Sequence, residues 1–174
     1  MTTIVAVETP GGVTFASDSR VTGALVNDGW VAKVFQNKGM TFGIAGLLQF
    51  SQAIKYAKLP KLPETDDPEK LDKWVTQTLA PIFKAVDKVC TDDDPESRGR
   101  SSALVSIKGR VYHISARGSW TRNGSGVYAI GSGSPYALGA LESGSTPKKA
   151  IKIASKYDWG TNSDVRILKV PSQA

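Results

Sequence analysis

A chain of 174 residues, 40% hydrophobic and 22% charged, can bury a core without cross-links, so one domain over residues 1–174 is expected. The lone Cys90 excludes an intrachain disulfide, and no run approaches the roughly 18 apolar residues of a membrane span. The formal charge of +6 raises nucleic acid as a partner, but the densest basic groups (Lys55, Lys58, Lys61; Lys148, Lys149, Lys152) recur at helical spacing with few interleaved aromatics and read as solvated faces.

Thr2 to Val7 is β-branched and apolar, Pro10-Gly11-Gly12 is a turn, and Val13 to Ser17 returns, so the chain opens as a β-hairpin. Glu8, Pro10 and the glycines also interrupt the first apolar run, which is no signal peptide; the expected compartment is the cytoplasm. Val31 to Phe35 and Met40 to Ala45 read as two further strands about Asn37-Lys38-Gly39. Leu47, Leu48, Phe50, Ile54 and Ala57 share a helical face that ends at Pro60 and Pro63. Asp66-Asp67-Pro68-Glu69 has the make-up of a helix start. Helical spacing then runs from Leu71 to Val89, with a kink or two abutting helices expected at Pro81. After an acidic loop over 91–99, Ser102 to Ile107, Arg110 to Ser115 and Val127 to Ile130 read as strands. Pro135 to Leu141 and Pro147 to Tyr157 read as helices, and Asp164 to Val170 as a last strand. Strands, helices, strands, helices and a strand argue for an α+β fold with antiparallel sheets.

Threonine after an initiator methionine means little alone. Its chemistry becomes interesting where the α-amine is freed, because that amine titrates at roughly 7.7–8.0 and can serve its own residue's hydroxyl as base. Such a nucleophile needs a nearby cation, a carboxylate to hold that cation, and a backbone donor for the oxyanion. Asp18 at the end of the second strand, Lys33 in Val31-Ala32-Lys33-Val34, and Gly46 after Thr41 to Ala45 supply these types.

Thr2-Thr3-Ile4-Val5-Ala6-Val7, Gly12 to Thr22, Lys33-Val34 and Gly43-Ile44-Ala45-Gly46 resemble the successive motifs of proteasome β-subunits and of the bacterial peptidase HslV. Ala129 to Ala137, with Gly131-Ser132-Gly133, and Tyr157 to Asn162 resemble the family's later motifs. The resemblance covers the first 48 residues and 101–137 well, 148–162 moderately, and the helical middle only in character. It implies an N-terminal-nucleophile hydrolase: a four-layer α/β/β/α sandwich of two antiparallel sheets. It implies further that Thr2 attacks a peptide carbonyl, Lys33 activates the hydroxyl, Asp18 holds Lys33 and Gly46 N–H binds the oxyanion. Ser132, Asp158 and Thr161 would surround the α-amine and the catalytic water; Thr161 stands where the family often has serine. The specificity pocket would be lined by Val21, Val31, Phe35, Ile44, Leu48 and Gln52, favouring cleavage after apolar or aromatic residues.

The segment between Asp18 and Lys33 is one residue shorter than in the family, and Leu47 replaces a frequent second glycine. A retained Met1 would acylate the amine and block the chemistry. By resemblance, the partners are protein or peptide substrates and further copies in a double ring, a dodecamer or tetradecamer, with an AAA+ unfoldase by analogy. Starting at Met1-Thr2 fits the HslV type more than the leader-bearing β-subunits. No cofactor is required; a structural cation held by backbone carbonyls near Asp158 to Asp164 is implied only by the family. Among side chains no metal set is read: Asp92-Asp93-Asp94 lacks the spacing of a Ca²⁺ loop. Cys90 and His113 read as structural, and Trp30, Trp74, Trp120 and Trp159 form no cofactor box. Two alternatives stand beside the protease: a non-catalytic ring or scaffold subunit, and an amidase for a small non-peptide amide.

Overall fold

The alternating residues of the opening hairpin serve two different cores. In a computed structural model, which describes residues 1–22, 26–28 (backbone) and 31–172, β1 (Thr3–Thr9) and β2 (Gly12–Asp18) pair antiparallel, Ile4 opposite Ser17. Ile4 and Ala6 face one way, Val5 and Val7 the other, and each pair joins a separate apolar cluster. Trp30 lies outside the described residues, as does part of the shortened segment after Asp18.

β3 (Arg20–Thr22) and β4 (Val26–Asp28) form a small two-stranded ribbon. β5 (Val34–Asn37) and β6 (Met40–Ala45) follow, then helix α1 (Leu48–Tyr56). The expected strand over Val31 to Phe35 therefore begins three residues late: Val31 and Ala32 are irregular and Lys33 sits in a bend, its carbonyl accepting the Ile44 N–H. α2 (Pro68–Trp74) starts as its sequence suggests, with Asp67 Oδ1 accepting the Lys70 N–H at 2.9 Å. It runs through a π-helical stretch (Val75–Leu79) into α3 (Ala80–Cys90). Pro81 has no N–H and its ring crowds the carbonyl four residues back, and the helix absorbs this by widening one turn rather than breaking.

β7 (Ser102–Ile107), β8 (Arg110–Ser115), β9 (Trp120–Thr121) and β10 (Val127–Gly131) are followed by α4 (Ser134–Glu142), α5 (Pro147–Tyr157) and β11 (Val165–Pro171). One sheet has the order β10-β1-β2-β11, the other β5-β6-β7-β8-β9, and their pairings are antiparallel. Three clusters stack between four layers. Phe50, Ile54, Leu71, Leu79 and Phe83 of the first helices pack on Phe42, Val105 and Tyr112 of the five-stranded sheet. Ile4, Phe15, Leu104, Val111 and Ile130 fill the space between the sheets. Val5 and Ala16 pack against Ala137, Leu141, Ile151 and Ala154 of α4 and α5. The fold is thus an α/β/β/α sandwich. Among the described residues no helix is long and apolar enough to cross a membrane.

Cys90 and His113 are kept apart by this layering. Cys90 packs at the edge of the helix-side cluster, whereas His113 lines a cavity with Leu104 and Tyr128 on the opposite face of β8. Burial lowers the His113 pKa. Trp74 and Trp120 are half-buried against the helix-side cluster, and Trp159 is exposed.

Candidate active site

Thr2 stands where three strand ends meet. The hairpin register places Asp18 beside Thr3, and the pairing of Thr3 with Gly131 brings Ser132 alongside from the other neighbour. Gly131 is obligatory there: its φ is 94°, and a Cβ would lie 2.0 Å from the Thr2 carbonyl oxygen.

Asp18 is fully buried and surrounded by donors. Its Oδ1 accepts the Thr2 hydroxyl at 2.8 Å, the Thr3 N–H at 2.9 Å and the Lys33 ammonium at 2.7 Å. Its Oδ2 accepts the Arg20 N–H at 3.0 Å and the Asn162 N–H at 3.4 Å. The nucleophile candidate and the cation candidate therefore share one carboxylate oxygen. Burial lowers the Lys33 pKa, and the Asp18 charge and hydrogen bond oppose that shift. The ion pair opposes the loss of the proton that burial favours.

On the other flank Asp158 caps the C-terminal end of α5. Its Oδ2 accepts hydroxyl hydrogen bonds from Ser132 at 2.8 Å and from Thr161 at 2.5 Å. Thr161 Oγ1 also lies 2.5 Å from the Thr3 hydroxyl, and Ser132 Oγ 3.4 Å from the Thr2 carbonyl. Thr3 is thus part of this network, a role that its place in a strand-like run disguises. Met1 is attached, and its amine donates to Thr22 Oγ1. Burial and then the Lys33 charge lower the pKa of that amine, while Asp18 and Asp158 raise it.

Two clefts border Thr2, and both touch Gly46 and Leu47. Gly46 has φ 120°, and a Cβ there would fall 2.6 Å from the Ser101 Cα, so the 46–47 turn lies directly on the next strand's entry. Ser101 Oγ accepts the Leu47 N–H at 3.0 Å and fixes that turn. This contact spans 54 residues and carries no local sequence signal.

The smaller cleft, ≈ 80 Å³, is lined by Val21, Val31, Ile44 and Leu48, four of the six expected pocket residues. Phe35 is not among its lining residues: it is buried and stacks on Phe42 with ring centroids 5.6 Å apart. Gln52 lies on the exposed side of α1, and Ser51 borders the cleft in its place. Both placements follow from the late start of β5 and the phase of α1. Arg20 and Thr22 also reach this cleft. The larger cleft, ≈ 440 Å³, runs from Thr2 past Ser132 to Arg100 and Ser102.

Two carbonyls of the segment implied to hold a cation are already engaged. The Trp159 carbonyl accepts the Arg20 guanidinium at 2.7 Å and the Asp158 carbonyl accepts the Thr161 N–H at 3.0 Å. A metal ion at Trp159 would face a resident positive charge, and no chemistry is derived through one. Asp94, in the acidic loop, accepts from Ser97.

No protein-family model matches this sequence, and no curated protein is significantly similar to it. Solved structures are similar over nearly the whole chain. BPH of Thiobacillus denitrificans superposes with TM-score 0.74 at 18% identity, covering 98% of both chains. Eukaryotic HslV from Trypanosoma brucei gives 0.64 at 22%, covering 97% of this chain and 99% of that one. Anbu, the ancestral β-subunit of Yersinia bercovieri, gives 0.68 at 16%, covering 97% and 81%. At these identities the likeness is one of architecture, and it agrees with the layers and strand order described above: the chain has the fold of these BPH, HslV and ancestral β-subunit structures.

Proposed function

We propose that this chain is the proteolytic subunit of a ring-shaped threonine endopeptidase, active once Met1 is removed. The observation that carries the reading is the buried Thr2–Asp18–Lys33 contact, at 2.8 and 2.7 Å, opening onto two clefts beside Gly46. While Met1 is attached, the Thr2 nitrogen is an amide and has no basic lone pair. Removal of Met1 frees an amine on the same residue as the hydroxyl, where it can serve as that hydroxyl's base.

The hydroxyl then turns its hydrogen bond from Asp18 to that amine, which takes the proton as Oγ adds to the peptide carbonyl. The Gly46 N–H receives the oxyanion, and the Lys33 charge stabilises the developing negative charge. Collapse breaks the C–N bond, and the ammonium returns its proton to the departing amine. Water, deprotonated by the same amine, adds to the ester on Thr2 Oγ; the carboxylic acid leaves and the hydroxyl is restored. Ser132, Asp158 and Thr161 orient the amine and this water through the Asp158 carboxylate.

The smaller cleft, lined by Val21, Val31, Ile44 and Leu48, favours an apolar side chain on the acyl side, and removal of Met1, which also borders it, enlarges it. A double ring, an AAA+ unfoldase and a cytoplasmic setting belong to the same proposal by likeness to HslV and the ancestral β-subunit.

The test is the intact mass of the protein with and without an epoxyketone, for wild type and Thr2→Ala. One of the similar BPH structures is a complex with epoxomicin, which makes that class the natural probe. Loss of Met1 and one adduct that requires Thr2 supports the peptidase. Full retention of Met1 with no adduct favours the scaffold subunit.

A further inference from the structure

Both clefts beside Thr2 carry basic residues, Arg20 and Lys33 at the smaller one and Arg100 at the larger, and Met1 borders both. The larger one is lined by Arg100 and, among the described residues, by no carboxylate. It also touches Thr2, Gly46 and Ser132, the groups assigned above to the reacting centre. Arg100 is rooted in a fixed stretch of backbone. Its N–H donates to the Ser97 carbonyl at 3.2 Å, and the Gly99 N–H donates to the buried Asp87 carboxylate at 3.0 Å. Ser101 binds the Ala116 N–H through its carbonyl at 2.9 Å and the Leu47 N–H through its hydroxyl at 3.0 Å. Arg100 therefore borders the cleft from a backbone held in register with the Gly46 turn. Among the described residues no ion pair engages it.

We propose that the larger cleft takes the leaving-group side of the substrate and that Arg100 selects an acidic side chain there. This rests on the reading of Thr2 as a peptidase nucleophile. A peptide that seats an apolar side chain among Val31, Ile44 and Leu48 must pass Thr2 and Gly46, and its continuation enters the larger cleft. A carboxylate arriving there meets a planar guanidinium suited to two parallel hydrogen bonds. Because Arg100 is exposed, the pair is screened and its effect is modest, about fivefold in affinity at low salt.

The experiment uses the Thr2→Ala chain freed of Met1, which holds a peptide without cleaving it, and two fluorescent peptides carrying leucine followed by either aspartate or asparagine. Anisotropy titration is expected to show about fivefold tighter binding of the aspartate peptide, shrinking at high salt. That ratio should fall to about one in Arg100→Gln and drop below one in Arg100→Glu. Equal binding of the two peptides, no binding of either, or a preference that survives in Arg100→Gln overturns the proposal. Cleavage is read separately: wild-type protein freed of Met1 that leaves the asparagine peptide intact refutes the peptidase reading, whatever Arg100 does in the binding assay.

Discussion

Replacing Lys33 by methionine removes one charge from a buried pair and keeps most of the hydrocarbon stem. Losing one partner of such a pair costs about 3–5 kcal/mol when the remaining charge is left bare. Asp18 is not left bare, because the Thr2 hydroxyl and the N–H groups of Thr3, Arg20 and Asn162 still donate to it. The expected loss lies at or below the lower bound, about 2–3 kcal/mol. A domain with about 5–15 kcal/mol of stability survives that. Reactivity should suffer more, since Lys33 is the cation in direct contact with the carboxylate that holds the Thr2 hydroxyl. Charge stabilisation of this kind is worth about 10²–10³-fold in rate.

The assays are urea unfolding and the rate of epoxyketone adduct formation, each followed over pH. Burial lowers the Lys33 pKa below the ordinary 10.5, against the pull of Asp18. Between the folded value and 10.5 the unfolded chain holds more protons, so this group makes stability rise with pH in that window. Below the window its contribution is a constant penalty. That rise should vanish in Lys33→Met. Wild-type stability together with wild-type adduct rates at neutral pH would refute the reasoning.

Asp158→Asn should keep the fold, cost about 1–2 kcal/mol in urea unfolding, and slow adduct formation tenfold or more, to about a hundredfold, because Ser132 and Thr161 lose a charged acceptor. Gly131→Ala forces a Cβ to within 2.0 Å of the Thr2 carbonyl at φ 94°; loss of about 4 kcal/mol or more, read as a lowered Tm, is expected. The pH–rate profile of adduct formation should show an acid limb, because protonation of the freed Thr2 amine removes the base for its hydroxyl, and a profile flat through the range of an α-amine, roughly 7.7–8.0, would refute that role. Val31→Ala should widen the ≈ 80 Å³ cleft and raise the ratio of phenylalanine to alanine substrates by about 3–10-fold in kcat/KM.

Much of this site lies within reach of local reading, and the hairpin explains why. Alternation in Thr3 to Val7 and the turn at Pro10-Gly11-Gly12 dictate a register, and that register alone carries Asp18 back beside Thr3. The start of α2 at Asp67-Pro68 and the apolar stripe of α5 are likewise local, because capping and helical period act over a few residues. Other features are decided only when the layers close. Lys33 leaves its expected strand and enters a bend, since a buried ammonium follows its counter-ion rather than its β propensity. Phe35 prefers stacking on Phe42 to lining a cleft, and Thr3 proves to share the Thr161–Asp158 network. Ser101 grips the Leu47 N–H across 54 residues of chain. Periodicity and turn chemistry are properties of neighbouring residues and can be read one after another. A buried charge, a ring stack or a hydroxyl held by a distant strand depends on which surfaces are pressed together, and only the packed sandwich decides that.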